Sequence, residues 1–90
     1  MLQKVKLSLR IKNTSFDIEI QSLIDAAKKD LTLSGVNEAK VVSTDPLILR
    51  AVTLYAKAHF GLGNDDSEKY VAAYESLKTH LALSSEYTEG

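Results

Sequence analysis

Cysteine is absent from this chain, so neither a disulfide framework nor a thiolate metal site is available to it. That lack fits a reducing compartment. A single proline and four glycines in 90 residues leave few breaks, so long uninterrupted elements are expected. No apolar run approaches the roughly 20 residues that span a bilayer. The opening MLQKVKLSLRIK is broken by charge throughout and has no apolar stretch of the kind a secretory leader needs. Catalytic apparatus is missing as well. Gly61-Leu62-Gly63 lacks the lysine and the preceding strand of a phosphate loop, and there is no nucleophile elbow. Carboxylates are plentiful, but no pair of them sits in an apolar setting that would tune one for proton transfer. His59 and His80 have no further ligands at organised spacing, so no metal and no cofactor are expected. The chain is not expected to be an enzyme.

What is present is the material of one small helical domain. Leu2, Val5 and Leu9 recur at helical spacing and predict a first helix over residues 2–10, its basic side chains turned away from that stripe. Asn13-Thr14-Ser15 reads as a turn, with Thr14 or Ser15 capping a second helix. In that helix Phe16, Ile20, Leu23, Ile24, Ala27 and Leu31 form one buried face, while Asp25 and Lys29 lie opposite. Asp17 sits in the first turn, where the helix dipole favours a carboxylate, and Gly35 is placed to end the helix in a left-handed cap. Ile18 and Leu33 fall off the buried face and are candidates for an interface. Residues 36–44 break the period and read as an adaptable loop, with a short extended piece at residues 40–42. Asp45-Pro46 then opens a third helix, Asp as N-cap and Pro at the first helical position. Residues 47–60 are apolar on almost every side, interrupted only by the stripe Arg50, Thr53 and Lys57, which predicts a central helix packed by several neighbours. Gly61 and Gly63 are expected to end it, and Asn64-Asp65-Asp66-Ser67 to turn into a fourth helix with the stripe Tyr70, Tyr74, Leu77 and Leu81. His59 is expected on a buried side, and Tyr55, Tyr70 and Tyr74 in core packing.

The fold class is therefore all-α: a small four-helix domain over residues 1–83, with a central apolar third helix clasped by the second and fourth, the first lying across one end. Residues 84–90 are expected to be a flexible tail. Tyr87, an aromatic in that polar tail, is expected to anchor into a partner.

Net charge is only −1, but it is sorted along the chain. Lys4, Lys6, Arg10 and Lys12 make the first twelve residues basic with no acid among them, whereas from Asp65 onward six acids face two lysines. Such sorting serves contact with nucleic acid, head-to-tail contact between copies, or nothing more than solvated faces. A helix-turn-helix reader of DNA needs a short turn and a polar recognition helix. The long loop before an apolar third helix argues against one.

Three stretches, LQKVKLSLRIK, DIEIQSLIDAAKKDL and DPLILRAVTLYAKAHFG, together resemble the small head–tail connector (head-completion, DNA-packaging adaptor) proteins of tailed bacteriophages and prophages. The likeness spans roughly residues 2–60. It lies in packing patterns such as Leu9-Arg10-Ile11, Ser22-Leu23-Ile24-Asp25-Ala26-Ala27 and Ala58-His59-Phe60. The resemblance implies a structural protein of the virion, assembled in the bacterial cytoplasm. It implies a homo-oligomeric ring, dodecameric on the portal protein, that extends the DNA channel and docks the next stopper or tail-completion protein. Passing DNA would be touched non-specifically, and no membrane is involved. Under that reading the interface candidates are Lys4, Lys6, Arg10, Lys12, Ile18, Leu33, Lys40 and Tyr87. A small helical DNA-binding or regulatory protein is the alternative.

Overall fold

The computed structural model describes residues 1–60 and 66–89. Its elements are α1 (Leu2–Leu9), α2 (Asp17–Leu33), a single 3-10 turn at Glu38–Lys40, α3 (Pro46–His59), α4 (Ser67–Leu83) and a short α5 (Ser85–Thr88). The all-helical architecture follows the sequence pattern. The glycines expected to end α3, and Asn64 and Asp65 of the turn before α4, lie outside the described residues.

The core forms where the periodic apolar faces meet. Ile20, Ile24, Ala27 and Leu31 of α2, and Ile48, Ala51, Val52 and Ala56 of α3, are fully buried, with Val5 of α1 and Leu81 of α4 closing the cluster. α3 packs against α2 on one side and α4 on the other, and α1 lies against both α2 and α3. Its central place follows from its composition, because a helix apolar nearly all round needs several neighbours. Phe16 and Phe60 meet edge to face at 5.5 Å where α2 begins and α3 ends. Phe16 is thus half out of the core rather than fully in it, at 44% exposure.

The helix ends show local chemistry at work. Asp45 caps α3 by accepting from the backbone N–H groups of Leu47 and Ile48, with Pro46 at the first position, where no N–H is needed. α2 ends at Gly35, whose φ of 116° is open to glycine. There the Val36 N–H donates to Leu31 and the Gly35 N–H to Thr32, which is a Schellman closure. α1 closes in the same way, with Ile11 donating to Lys6 and Arg10 to Leu7. Its left-handed residue, however, is Arg10 at φ 61°, not a glycine.

Several expectations need correction. Neither Thr14 nor Ser15 caps α2. Phe16 occupies that position, and the turn is held by Asn13 Oδ1 accepting from the Ser15 N–H. The piece at residues 40–42 is not extended. Asn37 accepts from the Ala39 N–H and starts the 3-10 turn instead. His59 is exposed, tilted against Tyr55 with ring centroids 4.4 Å apart. Residues 85–88, expected in the tail, form α5, which folds back until the Tyr87 carbonyl accepts from the Asn37 N–H at 2.7 Å.

Candidate functional site

Among the described residues no group of three His, Cys, Asp or Glu side chains could hold a metal ion. The polar clusters that do form are ties between helices. The Tyr74 hydroxyl donates to Asp30 Oδ2 at 2.6 Å, and the Lys78 ammonium donates to the same oxygen at 3.1 Å. Lys78 also pairs with Glu75 Oε2 at 2.9 Å. Burial alone would push the Asp30 carboxyl up, but hydrogen bonds from Tyr74 and then Lys78, with the Lys78 charge, outweigh it and hold the group below its ordinary value. Burial, then donation to Asp30, drives the Tyr74 phenol well above its ordinary value. Lys78 is raised, first by its bond to Glu75 and then, against the opposing effect of burial, by Asp30. This cluster clamps α2 to α4.

The interface candidates fall into three groups. Lys4, Arg10 and Lys12 are exposed, as are Ile18 at 89% and Leu33 at 74%, and Lys40 is half-buried. Two others are used inside the chain, and both are corrections. Lys6 is not turned outward with the other bases. It is 4% exposed and lies 2.7 Å from Asp17 Oδ1. The short α1 lies against both α2 and α3, so more than one of its faces is covered. Tyr87 is 7% exposed, and its hydroxyl donates to Asp45 Oδ1 at 3.2 Å. It anchors α5 onto the start of α3, and burial together with that bond raises its pKa.

The structure adds a surface that sequence reasoning did not assemble. One side of α3 is covered neither by α2 nor by the flanking helices. A groove of about 520 Å³ runs along it, walled by Ser8 of α1 and Tyr70 of α4. Its apolar surface comes from Leu47, Leu49 and Leu54, and Arg50 and Lys57 line it as well. The concavity continues past Arg10 and Phe60 at one end and past Leu77 and His80 at the other. No carboxylate lines it among the described residues. Lys57 lies over the Tyr70 ring at 5.6 Å. The sequence did carry a signal for this groove. Arg50, Thr53 and Lys57 are the one polar stripe of an otherwise apolar helix, and that stripe marks the side left open.

A basic groove with an apolar floor, exposed apolar side chains on another helix, and polar clusters that tie helices together are the surface features of this helical protein. The family model for phage connector proteins matches residues 1–88, and the chain belongs to that family. It is a phage head–tail connector by family, and that family is structural and part of the virion. No curated protein and no solved structure matches the chain. No helix among the described residues is long and apolar enough to cross a membrane.

Proposed function

We propose that this chain is the repeated subunit of a ring seated under the portal of a filled phage head, where it extends the DNA channel and docks the next stopper or tail-completion protein. The observation that carries this reading is the family match over residues 1–88. A closed ring needs heterologous contacts, in which one face of each copy meets a different face of the next. The subunit has unlike faces to offer: the basic groove on α3, and the exposed Ile18 and Leu33 on α2. Lys4 and Lys12 are exposed cations suited to loose contact with phosphates of passing DNA, and Lys40 to a neighbouring protein. The site of action is then the head–tail interface of the virion, reached by assembly in the host cytoplasm.

The test is co-expression with the portal protein of the same phage genome, followed by native mass spectrometry and electron microscopy of the product. A ring of this chain bound to the portal is expected. A chain that stays monomeric at every concentration and never co-purifies with the portal would overturn the reading. Tight, sequence-preferring binding to duplex DNA would favour a regulatory protein instead.

A further inference from the structure

We propose that the groove on α3 receives the N-terminal half of α2 from a second copy of this chain, seating Ile18, Glu19, Ser22 and Asp25 over the groove's apolar floor and its arginines. This rests on the ring reading above and names the two faces that would meet.

Four observations converge on that occupant. The first is charge. Arg10 and Arg50 line the groove, and neither is ion-paired within the described residues. On α2, Glu19 and Asp25 are exposed and likewise make no ion pair there; Asp25 accepts only from the Gln21 amide. The second is apolar surface. Ile18 is 89% exposed in its own chain, and Leu47 in the groove is 40% exposed. Bringing them together removes both from water, worth about 25 cal/mol per Å² of apolar surface covered. The third is spacing. Ile18 and Ser22 share one face of α2, with Glu19 at one edge of that face and Asp25 at the other, about 120° apart around the helix and about 9 Å along it, so the two acids flank the contact. The fourth is topology. No residue of α2 lines the groove, so donor face and acceptor face are separate on each copy and the contact repeats head to tail. A helix laid into an apolar groove and steered by charge is a common recognition mode. Duplex DNA fits less well, because a phosphate backbone gains nothing from a leucine floor.

Charge reversal gives the first arm of the test, read by sedimentation and native mass spectrometry. Arg50→Glu with Arg10→Glu, and separately Glu19→Lys with Asp25→Lys, should each weaken self-association or portal-templated ring formation at least ~10-fold. All four positions are exposed, so far-UV circular dichroism should show helices intact. Mixing the two variants should restore assembly, because each reversed groove then meets a reversed helix. The second arm uses the absence of native cysteine. A chain carrying both Ser22→Cys and Thr53→Cys should give a ladder of disulfide-linked oligomers on mild oxidation, whereas either substitution alone leaves no cysteine opposite it across the contact and should stay uncross-linked. If wild-type rings form but neither rescue nor ladder is seen, this contact is wrong while the ring reading stands. If the arginine variant loses DNA retention and keeps normal rings, the groove belongs to phosphate. Wild-type protein that never assembles, alone or on the portal, overturns both.

Discussion

Lys6 and Asp17 form an ion pair whose halves differ in their access to water: the lysine side chain is 5% exposed and the aspartate 28%. No hydrogen bond of regular geometry reaches Asp17 Oδ1, so the ammonium is what balances that carboxylate. Removing one partner of such a pair costs more than removing both. Lys6→Met should therefore destabilise the fold by about 2 kcal/mol, and adding Asp17→Asn should recover about half of it, as read from urea midpoints. The Asp30 cluster makes a second residue-level prediction, through pH. The Asp30 pKa is lowered in the fold below the ordinary aspartate range. Its contribution is thus present above the unfolded value and is lost as pH falls through the folded one. Urea midpoints measured from pH 6 down to pH 3 should fall, and Asp30→Asn should flatten the part of that fall below about pH 4. Tyr74 and Lys78 have raised values, so their contribution is complete below pH 10 and is lost only as the solution becomes more alkaline. Tyr74→Phe removes one donor to Asp30 and should cost about 1 kcal/mol at neutral pH.

At the scale of elements, the two Schellman closures ask opposite questions of the same geometry. Gly35 has φ 116°, and a Cβ built there would meet nothing within 4 Å. Gly35→Ala should therefore destabilise through backbone strain alone, by about 1 kcal/mol. Arg10 already bears that strain at φ 61°, and Arg10→Gly should stabilise the monomer by roughly 0.5 kcal/mol, detectable as a higher thermal midpoint. Helix positions were legible from sequence wherever the signal was local. Asp45-Pro46 and Gly35 fixed boundaries through their own backbone chemistry, and the stripe Ile20–Ile24–Ala27–Leu31 fixed a buried face through its period. What stayed illegible depends on partners distant in the chain. Tyr87 reaches Asp45 across 42 positions, and no pattern within SSEYTEG reveals that contact. Lys6 looked like one base among four until α2 brought Asp17 beneath it. His59 lay on an apolar side of α3, but that side is exposed where the helix ends.

For the whole molecule, the same reasoning separates what holds one subunit from what joins two. The core is apolar and the polar ties between helices are partly shielded, so salt has little purchase on the fold. The groove is marked in the sequence only through the Arg50, Thr53 and Lys57 stripe, because its walls exist only after α1, α2 and α4 have taken the other sides of α3. Its arginines lie in or beside open water, as do Glu19 and Asp25. Charges at that distance from the core attract across roughly a Debye length, which is about 10 Å at 0.1 M salt and about 4–5 Å at 0.5 M. Assembly and folding should therefore respond differently to sodium chloride. Raising it from 0.05 to 0.5 M should weaken assembly about 10-fold or more, with the loss mostly in association rate. Across the same range the monomer's urea midpoint should barely move. Sedimentation velocity and denaturant titration on one preparation test both halves. Assembly indifferent to salt would mean that apolar contact alone, through Ile18, Leu33 and the groove floor, joins the subunits, and that the sorted charges of this chain are solvated faces and nothing more.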